Sequence, residues 1–227
     1  MAADLSGNIL GLAQHADHKT NPQTIFGSNY AQYIKLQTDF RYYRRFSKTL
    51  LLANRLLIDA GFPYGNSSQL PNIKQFWAGG NSDLRGFPSR LVGPGTFNEY
   101  TLYQSSTYLE TLGDIKLEFN TELRENITKI FGLALFIDAG NIWLYNSNPA
   151  FPGGVFNSNF YKDIAVDAGV GFRFNFDIFI IRLDIGMPVY EPWLPQDERL
   201  VLNKINIEDP SWKTHNLVYN IGIGYPF

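Results

Sequence analysis

Arg85 is the residue best placed to do chemistry in this chain. It stands in Phe76-Trp77-Ala78-Gly79-Gly80-Asn81-Ser82-Asp83-Leu84-Arg85-Gly86-Phe87-Pro88-Ser89-Arg90-Leu91-Val92-Gly93-Pro94-Gly95. Glycine and proline at this density exclude a regular helix or strand, while the aromatic residues argue against a floppy linker. The segment is therefore expected to fold back onto its own scaffold with Arg85 as the anchor. A guanidinium turned inward needs carboxylates. Two later strand-like segments offer them: Gly113-Asp114-Ile115-Lys116-Leu117-Glu118-Phe119 and Phe136-Ile137-Asp138-Ala139-Gly140. The chemistry is an ion-pair lock. Acid–base work by Glu118 and Asp138 is the competing use of the same groups, and Arg85 accounts for them better. His15, His18 and His215 lie outside the clear strand patterns, and there is no Gly-x-Ser-x-Gly elbow. A metal held by His15-Ala16-Asp17-His18 is a weaker reading than a solvated loop. The sequence predicts a protein that is not an enzyme and carries no cofactor or metal.

Composition narrows the partners. The chain has 227 residues, 19 Lys and Arg against 21 Asp and Glu, 15% aromatic residues and no cysteine. The near-neutral balance, with no basic run longer than Arg44-Arg45, excludes an electrostatic footprint for nucleic acid. Lack of cysteine excludes a disulfide framework and thiolate metal sites without choosing a compartment. No apolar run approaches the ~18 residues of a membrane-spanning helix, and Met1-Ala2-Ala3-Asp4 does not read as a secretory signal.

The elements that must hold Arg85 and its carboxylates read as strands. From Asp163 to Asp177, Ile164, Val166, Ala168, Val170, Phe172, Phe174 and Phe176 alternate with Asp167, Gly169, Gly171, Arg173 and Asn175. The same period of two places Ile115, Leu117, Phe119, Thr121 and Leu123 opposite Lys116, Glu118, Asn120, Glu122 and Arg124. It recurs in 131–140, in 181–187, in Tyr30 to Tyr43 and in Leu50 to Gly61. A weaker first strand is expected near Gly7 to Leu12 and a last one over Asn216 to Phe227. About eight strands result, several of ten residues or more, the length that crosses a bilayer when tilted. Short connections at 44–48, 124–128 and 176–179 alternate with long ones at 62–112, 143–162 and 188–214, as in an outer-membrane barrel. Aromatic residues flank them: Tyr42, Tyr43 and Phe46, then Phe174, Phe176 and Phe179, then Trp143 and Tyr145, as interfacial girdles would. A soluble ligand-binding barrel would show the same alternation turned inside out. Charge favours the membrane reading, because a Lys or Arg on a lipid face costs about 2 to 4 kcal/mol near the midplane and the apolar faces carry none.

These residues resemble a known family, the outer-membrane assembly factors typified by BamA and TamA, also called bacterial surface antigens. Leu84-Arg85-Gly86-Phe87, preceded by Gly79 and Gly80 and followed by Gly93-Pro94-Gly95, is similar to the family's signature loop, which folds into the barrel lumen. Phe136-Ile137-Asp138-Ala139-Gly140 is similar to the strand motif that receives the loop arginine, and Glu118 matches its acidic partner on the preceding strand. The resemblance implies a lumenal cluster of Arg85, Glu118 and Asp138. The Gly-Pro-Gly, Asp-Ala-Gly-Asn-Ile-Trp and Gly-Tyr-Pro-Phe details look like the Bacteroidetes-type versions. It further implies that residues 1–227 are the C-terminal half of a sixteen-stranded barrel, with a lumen-folding loop at 62–112 and the periplasmic N-terminal domains absent.

The last segment alternates Tyr219, Ile221, Ile223, Tyr225 and Phe227 with Val218, Asn220, Gly222, Gly224 and Pro226. It resembles the terminal signal strand of outer-membrane barrels. The glycines weaken its ladder by entropy and the proline by lacking an N–H. The expectation is an all-β antiparallel transmembrane barrel, or half of one, from a bacterial outer-membrane assembly or translocation factor, with its C-terminus toward the periplasm. Expected partners are the lipid bilayer, client outer-membrane proteins and accessory lipoproteins or periplasmic subunits. A translocator pore of two-partner secretion and a stand-alone small barrel or porin are the alternatives.

Overall fold

The computed structural model describes residues 1–98, 111–176 and 178–227. Eight strands form one antiparallel sheet: β1 (Ala2–Ser6), β4 (Tyr33–Arg45), β5 (Leu50–Pro63), β6 (Ile115–Asn126), β7 (Phe131–Trp143), β8 (Ala165–Asn175), β9 (Ile180–Tyr190) and β10 (Val218–Ile223). They neighbour one another in that order. A separate two-stranded ribbon, β2 (Thr24–Ile25) with β3 (Ser28–Asn29), interrupts the chain between β1 and β4. The six strands from β4 to β9 each have 11 to 14 residues. That is bilayer-crossing length for a tilted strand. Among the described residues no ladder joins β10 to β1, so the sheet is open.

The short connections lie at one end of this sheet and close with local chemistry. Ser47 Oγ accepts from the N–H groups of Thr49 and Leu50, and Thr128 Oγ1 accepts from Ile130 and Phe131. Such hydroxyl turns satisfy backbone donors that a two-strand reversal leaves open. The long connections gather at the opposite end. Residues 99–110 of the 62–112 loop and Asp177 lie outside the described residues.

The two faces of the sheet are inverted relative to a water-soluble domain. On β6, Lys116, Glu118, Asn120, Glu122 and Arg124 are all buried, while Phe119 is exposed. Leu133, Leu135 and Ile137 of β7 are exposed around the buried Phe136 and Asp138. Val170 is 42% exposed and Leu183 37%, so the apolar sides point away from the protein interior. Hydrocarbon is the solvent that suits such a surface. The interior is filled by the 76–95 segment, whose Phe76, Ala78, Leu84, Phe87 and Val92 pack with Ile142, Ala165 and Trp193 into a small apolar core.

Three elements differ from expectation. The first strand is Ala2–Ser6, and Asn8–Ala13 is a helix. Its Ile-Leu-Gly-Leu-Ala run lacks period two, and Gly7 at φ 64° turns the chain out of the sheet. The final strand ends at Ile223, because Gly224 at φ 84° turns away, and Tyr225 to Phe227 leave the ladder. Trp143 is fully buried, with its ring edge-on to Phe156 and Phe160 and its Nε1 donating to Asp163 at 3.4 Å. It packs under the 144–164 loop and takes no place in a lipid-facing girdle. Tyr42, Tyr43, Phe46, Phe176, Phe179 and Tyr145 are exposed as expected of girdle residues.

Candidate functional site

The segment that carries Arg85 is shaped by its own backbone. Gly79 and Gly80 both sit at φ 103°, and the Gly80 N–H donates to the carbonyls of Leu84 (3.1 Å) and Phe87 (3.0 Å). This loop projects residues 84–87 onto the inner face of the sheet. Gly86 lies so close to β8 and β9 that a Cβ there would meet Asp167 Cβ at 2.4 Å and the Met187 carbonyl at 2.8 Å. Glycine is therefore required for the backbone to reach the sheet. Phe87 anchors the same turn by packing edge-on to Trp193. Gly93 and Pro94, joined by a cis peptide, pass the chain beneath β7, where the Gly95 N–H donates to the Ile142 carbonyl at 2.8 Å. Asn141 Nδ2 donates to the Gly95 carbonyl at 2.8 Å, a tether between the Asp-Ala-Gly-Asn-Ile-Trp strand motif and the loop.

Arg85 is fully buried. Its Nε donates to Asp138 Oδ2 at 2.8 Å, its Nη2 to Asp138 Oδ1 at 3.0 Å, and its backbone N–H to Oδ2 at 3.2 Å. Its Nη1 donates to Glu122 Oε2, and Asp184 lies 3.9 Å away. The guanidinium plane rests over the Phe136 ring, 3.6 Å from the centroid. Phe136 can lie flat there because Gly169 stands directly opposite it on β8. Two-point recognition of a carboxylate by a planar fork is the strongest form of this contact, and the aromatic face adds to it.

The second acid at Arg85 is Glu122, in place of the Glu118 expected from the motif. Both residues alternate onto the inner face of β6, so spacing alone does not distinguish them. Register does. Glu122 stands opposite Phe136 and Glu118 opposite Gly140, one side-chain step either way from the Asn120–Asp138 pair. Phe136 fixes the guanidinium, so its Nη1 reaches Glu122. Glu118 instead meets Lys116 Nζ at 2.8 Å and Arg55 at 3.6 Å, and Lys116 also binds Asp83 of the loop.

The ion pairs continue as a network across four strands. Glu122 Oε1 accepts from Arg124 Nε (2.8 Å) and Arg173 Nη2 (2.9 Å); Arg173 and Arg182 both bind Asp184, at 2.6 and 2.7 Å. Asn120 Nδ2 joins the Asp83 carbonyl to Asp138. Asp167, opposite Asp138 in the ladder, is fully buried; among the described residues neither of its carboxylate oxygens has a hydrogen bond of ordinary geometry, and the Gly86 N–H of the loop faces it. No sequence signal marked Arg173, Arg182 or Asp184 as members, since alternation gives the face and not the reach of a side chain. Outside the strands, Asp114 gathers the N–H groups of Leu70 and Tyr145 and Gln75 Nε2, and its burial raises its pKa above the ordinary carboxylate value.

The predicted terminal residues divide. Tyr219, Ile221 and Ile223 face outward from β10. Phe227 is buried, and the rings of Tyr225 and Phe227 lie 4.2 and 5.3 Å from the Arg124 guanidinium.

A loop arginine held by carboxylates inside an inverted sheet accompanies a direct match: residues 18–206 fit the model of the Omp85 superfamily domain. The chain belongs to the Omp85 superfamily. A curated relative, the outer membrane protein assembly factor BamA of Neisseria meningitidis serogroup B, is 28% identical over 121 residues, covering 50% of this chain and 14% of its own. Among solved structures, BamA from Haemophilus ducreyi lacking POTRA domains 1–3 superposes with a TM-score of 0.52 at 20% identity, over 73% of this chain and 33% of that one. CdiB from Acinetobacter baumannii gives 0.48 at 15% identity, over 86% and 27%. The chain thus spans a third or less of each of these relatives. Its all-β antiparallel sheet has the fold of an Omp85 barrel sector, and the family is one of outer-membrane proteins.

Proposed function

We propose that this Omp85 chain is the seam-bearing sector of an outer-membrane protein assembly factor, adding strands of client proteins to the edge of β10 without catalytic chemistry. The observation that carries the reading is the hydrogen-bonding state of that edge. The Gly224 N–H donates to the Ile180 carbonyl. Antiparallel pairs alternate between bonded and non-bonded, so Gly222, Asn220 and Val218 bond to β9 while Tyr219, Ile221 and Ile223 direct their N–H and C=O away from it. No strand covers that edge among the described residues. At a barrel seam, an edge whose own ladder Gly222 and Gly224 weaken is a template for strand addition. The curated relative is named as an outer membrane protein assembly factor, which supports the same reading.

In this proposal residues 1–227 act as one barrel region, the 62–112 loop is its lumenal plug, and Arg85 with Asp138 and Glu122 is the pin that holds the plug. The short turns and the C-terminus face the periplasm, where accessory lipoproteins or periplasmic subunits deliver clients. The test is a client-folding assay with the full-length protein in lipid vesicles. Ile221→Pro removes an N–H that points only to the open edge and leaves the β9 ladder intact. It is expected to fold and to lose acceleration of client folding. Unimpaired acceleration by Ile221→Pro refutes the edge as the working site, as does stable ionic conductance with no acceleration by the unaltered protein.

A further inference from the structure

The open edge of β10 is occupied at one point by a side chain from the plug. Asn81 Nδ2 donates to the main-chain carbonyl of Ile221 at 2.7 Å. From the alternation above, that carbonyl is one of the three that point to the open edge. The amide therefore stands where the N–H of an added strand would stand. Asn81 is itself held: its Oδ1 accepts from Arg182 Nη2, which also donates to Ser82 Oγ at 2.9 Å. Arg182 crosses the inner side of β10 at Gly222, where a Cβ would fall 2.6 Å from its Nε. Next along the strand, Asn220 Nδ2 donates to the carbonyl of Arg85 at 2.9 Å. Two amides thus join the plug to β10, one at Arg85 and one at the edge.

We propose that Asn81 is a positioning residue that caps the strand-acceptor edge, so that a client strand gains its bond to Ile221 only by displacing the plug's amide. This rests on the seam reading above and adds to it a link between plug and edge. The occupant is an amphipathic transmembrane β-strand. Tyr219, Ile221 and Ile223 are 66%, 72% and 80% exposed on the outward side, so a strand laid beside them must present apolar side chains to the same lipid. Its inward side chains would meet Asn220 and Gly222, beside Arg182, and must be small or polar. The cap explains why the plug reaches past the arginine lock to the last strand.

The experiment is binding of a fluorescent amphipathic β-strand peptide to the full-length protein in lipid nanodiscs, with a photoreactive residue at position 219 to confirm the site. Asn81→Ala frees the Ile221 carbonyl, and relief of one hydrogen bond is expected to tighten binding about fivefold. Asn81→Asp keeps the partner for Arg182 but cannot donate to a carbonyl, so it should match Asn81→Ala while leaving loop protection from protease unchanged. Ser82→Ala, which touches Arg182 and not the edge, should bind like the unaltered protein. Equal affinity across all four proteins overturns the cap and leaves the seam standing. Absence of cross-linked peptide in every protein overturns both. Tightening by Asn81→Ala alone, with Asn81→Asp unchanged, overturns the cap in favour of a general loosening of the plug.

Discussion

Arg85→Ala removes two side-chain donor contacts to Asp138, one to Glu122 and the stack on Phe136. The backbone N–H contact survives the substitution, so the side-chain loss is the two bonds to Asp138, the bond to Glu122 and the stack. The two acids fare differently afterwards. Glu122 keeps Arg124 and Arg173 as partners, whereas Asp138 keeps Asn120 and faces Asp167 across the ladder. The cost is therefore dominated by one buried carboxylate left without its cation, about 3 to 5 kcal/mol. A loss of 3 kcal/mol is already more than a hundredfold in the folded ratio. Urea unfolding in detergent micelles, with limited proteolysis of residues 79–95, measures both stability and plug docking. Asp138→Asn in the Arg85→Ala background should return part of the loss, because the stranded charge goes with it, and the double-mutant cycle should show coupling above about 1 kcal/mol. An unchanged unfolding midpoint with unchanged protease protection in Arg85→Ala refutes the lock, and so does strict additivity in the cycle.

Glu122→Gln and Glu118→Gln separate the two acids. The first should lower stability by about 2 to 4 kcal/mol by unbalancing Arg85, Arg124 and Arg173, and the second by clearly less, read as unfolding midpoints. Gly86→Ala should expose the 79–95 segment to protease, since its Cβ has no room against Asp167; unchanged protection of that segment would show that the turn does not need glycine there. Asp167→Asn should leave stability unchanged or raise it by about 1 kcal/mol, because it removes a buried charge that faces Asp138 while keeping an acceptor for the Gly86 N–H; a large loss of midpoint would show that the charged Asp167 is paired in solution. Arg124→Leu should free Tyr225 and Phe227 from the inner face, seen as faster carboxypeptidase trimming of the tail.

The sheet was legible in the sequence because membrane strands separate charge from hydrocarbon so completely. On β6 and β8 the alternation alone gives the correct face for every residue from Lys116 to Arg124 and from Val166 to Arg173. Legibility failed where the deciding quantity is not periodic. Glu118 and Glu122 share one face, and only the β6–β7 register, with Phe136 under the guanidinium, selects Glu122. Trp143 has the composition of a girdle residue but sits where the strand passes under the 144–164 loop, which buries it. Asn8–Ala13 carries apolar residues without alternation and became a helix once Gly7 left the sheet. The Asn81 contact with Ile221 joins residues 140 positions apart, and no local pattern encodes it.

The proposed pairing of client strands with the open edge of β10 can be trapped covalently. The chain has no native cysteine, so single introduced thiols report cleanly. Disulfide trapping between a stalled client strand and cysteines at positions 219, 221 and 223, compared with outward positions 183 and 185 on the covered strand β9, tests it in the outer membrane. Trapping is expected at the β10 positions, in one register along the client strand, and at neither 183 nor 185. Equal trapping at both strands, or trapping confined to β9, would contradict it.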